Sequence, residues 1–208
     1  MGFSERVLEF LPEVRKPAEQ RRSFNSKLKW TLIILLAFFI LSSIPLFGLG
    51  ENALAQFTSL SVILGASFGS ILSLGIGPIV TASIILQLLT GSGILKIDTT
   101  TKEGRGYFQG INKILTIFFI IFEAAIYVFM GGLAPAQALS GTAAYVNYQL
   151  LLVFQLFLGG MLILYMDEVI SKYGFGSGVS LFIAAGVSAS LFVRAFSPLT
   201  SAGTFAFG

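Results

Sequence analysis

The stretch "SLGIGPIVTASIILQLL" (Ser73–Leu89) places Gly75, Gly77 and Pro78 inside one of the most apolar parts of the chain. Glycine loosens the backbone and proline removes an N–H donor, so the three together predict a break in a helix. At membrane depth, a break is tolerated only where protein or a water-filled cavity surrounds the backbone. The stretch therefore predicts a site or pathway, with an ordinary proline kink as the simple alternative.

The composition indicates a polytopic membrane protein. Of 208 residues, 55% are hydrophobic and 11% are charged, whereas soluble domains carry about 25% charged residues. The chain has no His and no Cys, which removes thiol and imidazole chemistry and the usual zinc ligands. A net charge of +3 is too small to predict a nucleic-acid partner. We expect no enzyme activity, no cofactor, no metal site and no specific nucleic acid.

Hydropathy predicts an all-α membrane protein with five transmembrane helices, because a span needs about 20 mostly apolar residues. The second is expected to be broken into a half-helix that does not cross and a half that does. The predicted segments are an N-terminal amphipathic segment (1–29), span one (30–49), the half-helix (53–70), span two (75–93), a loop (94–113), span three (114–131), a loop (132–144), span four (145–166), a loop (167–178), span five (179–197) and a tail (198–208).

Positive charge predicts the orientation of the chain. Twelve of the 13 Lys and Arg residues fall in the N-terminal segment and the loops 94–113 and 167–178, and only Arg194 falls on the other side. Cytoplasmic loops are enriched in Lys and Arg. The N-terminus and these two loops are therefore expected in the cytosol.

A second stretch, "DEVISKYGFGSGVSLFIAAG" (Asp167–Gly186), repeats the pattern of the first. A phosphate-binding loop is disfavoured because no Lys-Ser or Lys-Thr follows the glycines. Val179 and Ile183 are branched apolar residues four apart after a Gly-rich break, as are Ile76 and Val80. Two such pairs facing a cavity predict a hydrophobic constriction, which blocks ions and water by dewetting.

Glu123 is the one charged residue expected in the middle of a span. Such a residue is a functional-site hypothesis by default, and the simpler alternative is a hydrogen bond that joins two helices. Candidate partners are Thr81, Gln87 and Gln155.

On these two long stretches the chain resembles the SecY family, the pore (alpha) subunits of the Sec protein-conducting channel. The segments "FLPEVRKP" and "KLKWTLIILL" near the N-terminus resemble its archaeal and eukaryotic branch rather than the bacterial one. The resemblance covers the first five of the family's ten spans, which is one half of an inverted repeat. It implies a channel that passes unfolded secretory polypeptides and releases transmembrane segments sideways into lipid.

The resemblance also implies residue roles. The apolar ring around the passing polypeptide would include Ile76, Val80, Val179 and Ile183, and the helix break Gly75, Gly77 and Pro78. The lateral gate would include Thr81 and Glu123. The plug that seals the closed pore would include Gln56, Phe57, Leu60, Val62, Ile63 and Leu64.

The partners implied by the resemblance are small single-span subunits of the SecE (gamma) and beta types, the ribosome, signal sequences, nascent polypeptides, the second half of the SecY fold and membrane lipid. The implied location is an archaeal plasma membrane, with the endoplasmic reticulum as the alternative. Two other functions stay open from the residues. A secondary transporter predicts a polar midplane, and a half-size membrane subunit predicts assembly without the second half.

Overall fold

The computed structural model describes residues 13–14, 23–50, 69–136 and 140–196, and this part of the chain is helical. The helices are α1 (Phe24–Ser42), α2 (Gly77–Gly91), α3 (Lys102–Phe129), α4 (Ala143–Tyr173) and α5 (Gly178–Phe196). Three of them, α1, α3 and α4, are long and apolar enough to cross a membrane, whereas α2 and the apolar part of α5 are shorter. The expected all-α fold with five membrane helices is confirmed.

The second helix begins at the glycine- and proline-rich stretch. Residues 71–76 form consecutive turns, Gly75 has a φ of 55°, and Ile76 is the N-cap of α2. Pro78 therefore lies in the first helical turn, where the missing N–H has no partner to lose. At 15 residues, α2 is roughly 22 Å long. The six named plug residues and positions 53–68 of the predicted half-helix (53–70) lie outside the described residues. Its last two positions are described, and they form a turn at Gly69 and an isolated bridge at Ser70.

Helix bounds differ from the predicted spans because hydropathy finds only the apolar part of a helix. Although a loop is expected over 94–113, α3 begins at Lys102, where the Thr101 Oγ1 accepts a hydrogen bond from the Gly104 N–H at 3.0 Å. Although a loop is expected over 167–178, α4 continues to Tyr173. Conversely, α1 ends at Ser42, seven residues before the predicted end of span one.

The central helix of the described bundle is α4, which packs against α1, α3 and α5, while α2 packs mainly on α3. Two glycines on α4 allow these close contacts. A Cβ added at Gly160 would lie 2.6 Å from Ile120 Cγ2 on α3, and one added at Gly159 would overlap the carbonyl oxygen of Ile71. Backbone therefore approaches backbone where α4 meets the turns that precede α2.

The described bundle has two chemically different ends. We call the end formed by the starts of α1 and α3 and the α4–α5 turn the basic end, because all the described Lys and Arg residues except Arg194 lie toward it. The opposite end consists of residues 43–50, the turns at 69–76 and residues 130–136 and 140–142. There the bridges Pro45–Ser70 and Leu49–Pro135 join separate parts of the backbone.

Candidate functional site: the α2–α3 contact and the start of α5

The predicted polar pair, Thr81 and Glu123, is brought together between α2 and α3. The Thr81 hydroxyl hydrogen-bonds to the Glu123 carboxylate. Gly77 lies one turn earlier on α2, and a Cβ added there would be 3.1 Å from Glu123 Oε2. The carboxylate therefore sits over a face of α2 that glycine keeps open.

The other two candidate partners of Glu123 do not have that role. The Gln155 side chain instead accepts a hydrogen bond from the Phe47 N–H and donates one to the Phe47 carbonyl, both at 3.0 Å. It ties the chain after α1 to α4 at the opposite end. Gln87 has an exposed side chain. The prediction is wrong for Gln155 because the sequence does not show that the Phe47 backbone, shortly after α1, takes up the Gln155 side chain as a hydrogen-bond partner.

A second polar contact between α2 and α3 was missed by the sequence reasoning. The Asn112 amide donates to Ser83 Oγ at 3.2 Å, and Ser83 Oγ lies 3.3 Å from Asn112 Oδ1. Ser83 is two residues after Thr81, so the two hydroxyls lie on different sides of α2. The interface between α2 and α3 thus contains two separate polar contacts in an otherwise apolar setting.

Three of the four predicted ring residues lie at one apolar cluster. Ile76 belongs to it and is 8% exposed, and Val80 and Val179 pack against it. At its centre the ring of Phe38 stacks on that of Phe182, with centroids 4.9 Å apart. Ile183 is outside the cluster and 40% exposed. Residues of α2 and α5 therefore border the same apolar cluster. The role of these four residues as a pore ring stays a prediction.

The α4–α5 turn is held by side chains from two helices. The Asp167 Oδ1 on α4 accepts a hydrogen bond from the Val179 N–H at 2.9 Å, and the Gly178 N–H also hydrogen-bonds to this carboxylate. At the other side of the turn, the Phe175 N–H donates to Thr31 Oγ1 on α1 at 3.2 Å. No contact was predicted for Asp167 from the sequence, although an anion is favoured near the start of a helix.

An ion cluster joins three segments at the basic end. Glu168 pairs with Lys113 on α3 at 2.9 Å and with Lys172 on its own helix at 2.8 Å. Lys172 also pairs with Glu13 at 2.6 Å and donates to the Val14 carbonyl, while the Val14 N–H donates to Glu168 Oε1 at 3.2 Å. The i, i+4 spacing of Glu168 and Lys172 was a visible signal, but the partners on α3 and in the N-terminal segment were not.

Within the described ranges, no group of three or more His, Cys, Asp or Glu residues is placed to hold a metal ion. Two features of this region need an explanation: the polar contacts on α2, and the apolar cluster that α2 and α5 share.

A comparison with known protein families identifies the family of this chain. The family model described as SecY matches residues 70–207. The chain belongs to the SecY family. A second model, described as the plug domain of Sec61p, matches residues 36–69, a range that contains the predicted plug residues. The identification of the family from the two Gly-rich stretches is confirmed.

Among curated relatives, the protein translocase subunit SecY of Methanothermobacter thermautotrophicus is 51% identical over 197 residues, covering 95% of this chain and 41% of the relative. The SecY subunit of Pyrococcus furiosus is 41% identical and covers 92% of this chain and 40% of the relative. The chain thus spans about two fifths of the length of these SecY proteins.

Solved structures show the same fold. Sec61 in the canine ribosome-channel complex from the endoplasmic reticulum matches with a TM-score of 0.78 at 40% identity, covering 92% of this chain and 43% of that one. A protein-conducting channel matches with a TM-score of 0.78 at 40% identity, covering 92% and 42%. The five helices of this chain therefore have the arrangement found in part of the Sec channel.

Proposed function

We propose that this chain forms one half of the wall of a protein-conducting channel, which passes unfolded secretory polypeptides and releases transmembrane segments sideways into lipid. The observation that supports it most is that residues of α2 and α5 share one apolar cluster, in a chain that belongs to the SecY family. Each of these two helices follows a Gly-rich stretch.

In this proposal, Ile76, Val80, Val179 and Ile183 supply part of an apolar ring. A narrow ring of branched apolar side chains does not hydrate when empty, so it resists ion flow. It also forms no hydrogen bonds with a passing polypeptide, so no side chain is held strongly. The segment that contains the six named plug residues would close the resting pore on the side opposite the basic end.

The contact between α2 and α3 would form one side of the lateral gate. Its helices are joined by the pairs Thr81–Glu123 and Ser83–Asn112. Hydrogen bonds between membrane helices contribute modestly to stability, about 0.6 kcal/mol each on average. Such contacts can hold a closed arrangement and still be exchanged when an apolar segment leaves the channel.

We also propose an orientation in the membrane and a set of partners for this chain. The basic end would face the cytosol, in an archaeal plasma membrane or, as the alternative, the endoplasmic reticulum. Small single-span subunits of the SecE and beta types, the ribosome, signal sequences and nascent polypeptides would be the partners. The remaining wall of the pore would come from the rest of the SecY fold. We propose no enzymatic step for this chain.

The test is the ion permeability of the full-length channel, reconstituted with its subunits, that carries Val80→Asn. We expect a resting ion leak well above that of the unmodified channel, because a polar side chain lets the ring hydrate. The matched control is Leu36→Asn, which places the same amide on an exposed position of α1 and should leave the channel closed. A closed Val80→Asn channel, or equal leaks from both variants, would contradict the proposed ring and favour a half-size subunit or a transporter.

A further inference from the structure

The carboxylate of Asp167 makes a long-range connection between two helices. It belongs to α4, yet its Oδ1 accepts the Val179 N–H at 2.9 Å, and the Gly178 N–H bonds to the same carboxylate. These are two of the first N–H groups of α5, which have no partner within their own helix. The carboxylate also lies where the positive end of the α5 dipole favours an anion.

The fit between Asp167 and α5 is close. A Cβ added at Gly178 would lie 2.7 Å from both Asp167 Cα and Asp167 Oδ1. Non-bonded atoms do not approach a Cβ that closely. Glycine at this position is therefore what lets the start of α5 lie directly on α4. The neighbouring Glu168 makes different contacts: its oxygens bind Lys113, Lys172 and the Val14 N–H.

One of the two amides held by Asp167 belongs to a residue of the proposed ring. Val179 packs against the cluster that contains Ile76 and Phe182, and its own backbone N–H is the donor to Asp167. A change of rotation or depth at the start of α5 would move the Val179 side chain relative to α2. Ile183, one turn further along, would move with it.

We infer that Asp167 is a positioning residue for the pore ring: by binding the Gly178 and Val179 amides, it sets the depth and rotation at which α5 presents Val179 and Ile183. The inference rests on the proposed function for its consequence, the seal of the resting channel. The contact itself is independent of that function. Thr31 holds the other side of the same turn through the Phe175 N–H, so the whole turn is fixed between α1 and α4.

The experiment uses the full-length channel with its subunits and measures two quantities, hydrogen exchange over residues 178–183 and resting ion leak. Asp167→Ala removes the acceptor, and Gly178→Ala disturbs the contact from the other side while leaving the carboxylate. We expect both to speed exchange by on the order of tenfold or more, the effect of losing a hydrogen bond to a charged group, and to raise the leak several-fold.

Two variants separate positioning from general stability. Asp167→Asn keeps an oxygen that accepts the Val179 N–H, so it should restore most of the protection and most of the seal. Glu168→Gln also removes one negative charge but from the adjacent residue, so it should leave exchange over 178–183 and the leak unchanged even if the thermal midpoint falls.

Each contrary result has a distinct meaning. Unchanged exchange in Asp167→Ala would overturn the inference. Faster exchange without a leak, while Val179→Asn itself leaks, would show that Asp167 holds the helix end without positioning the ring, which also overturns it. Faster exchange with no leak from either Asp167→Ala or Val179→Asn would overturn the proposed ring and, with it, this inference, while leaving the contact in place.

Discussion

The two ends of the bundle are held together by different means. At the basic end, side chains make the connections: the ion cluster around Glu168, the Asp167 contact with α5, and Thr31 against the α4–α5 turn. At the opposite end, backbone groups are the partners. The bridges Pro45–Ser70 and Leu49–Pro135 pair backbone with backbone, and the Gln155 side chain bonds to the Phe47 backbone.

The difference follows from what each end contains. The basic end has long charged side chains that can span the gaps between helices. The opposite end has short turns rich in small and apolar residues, where unpaired backbone groups need partners and the segments must approach closely. The basic end should therefore be sensitive to charge, and the opposite end to volume and to the loss of backbone partners.

The largest loss of stability is expected from adding a methyl group at Gly159, where the backbone of α4 lies against the backbone that precedes α2. Gly159→Ala would place a Cβ on the carbonyl oxygen of Ile71, so α4 and the turns before α2 must separate. We expect a loss of about 3 kcal/mol in the free energy of unfolding, the upper part of the range for overpacking. Unfolding of the purified protein in detergent micelles measures it.

The control for that substitution is Gly91→Ala, at the last residue of α2, where an added Cβ meets nothing within 4 Å. It should be neutral or stabilise by up to about 1 kcal/mol, since alanine is the better helix former. Equal effects of the two substitutions would contradict the close approach at Gly159.

The next effect concerns the ion cluster at the basic end. Glu168→Gln removes the anion shared by Lys113 and Lys172, whose side chains are only 13% and 15% exposed. We expect a loss of about 2 kcal/mol, below the 3–5 kcal/mol found for fully buried pairs. Glu103→Gln, at an exposed position in the first turn of α3, should cost less than about 1 kcal/mol. The comparison is made by chemical unfolding, and a smaller effect at Glu168 than at Glu103 would show that the cluster contributes nothing.

A smaller effect is expected at the opposite end from Gln155→Ala. The substitution removes both hydrogen bonds to the Phe47 backbone. It should cost about 1–2 kcal/mol, because each of these exposed bonds contributes about 0.5–1 kcal/mol, the lower half of the usual range. Faster hydrogen exchange at Phe47 is the direct sign of the lost contact. Gln87→Ala, with an exposed side chain on α2, serves as the control, and slower or unchanged exchange at Phe47 in Gln155→Ala would argue against the contact.

The smallest effect belongs to the outer part of the ion cluster. The Glu13 side chain is 61% exposed, and exposed ion pairs contribute between about 0 and 1 kcal/mol. Glu13→Gln should therefore change the thermal midpoint little, and raising the salt concentration should erase what difference remains. A loss as large as that of Glu168→Gln would mean that the N-terminal segment, rather than the contact between α3 and α4, accounts for the cluster.

The sequence predicts the helices of this fold well, because long apolar runs and Gly-rich breaks are local signals. The break at Gly75, Gly77 and Pro78 shows this, since it coincides with the start of α2. Helix ends were less predictable: hydropathy does not report the polar first turns of α3 or the last turns of α4, where caps and i, i+4 pairs extend the helix.

The contacts between helices were only partly predictable. Thr81 and Glu123 were paired correctly because each is a polar exception in an apolar helix. Gln155 was assigned to the wrong partner, and Asp167 was not assigned to one at all. Both bind backbone groups of distant segments, and the sequence alone does not reveal which backbone groups lack partners until the helices are placed in three dimensions.

The central claim, that α2 and α5 line a path for polypeptides, is tested most directly by site-specific photo-cross-linking. A photoreactive residue would replace Val80, Val179 or Leu36 in the full-length channel, and a secretory polypeptide would be stalled during translocation. We predict strong cross-links to that polypeptide from positions 80 and 179, none from position 36, and none without substrate. Cross-links of equal strength from all three positions, or from position 36 alone, would contradict the account.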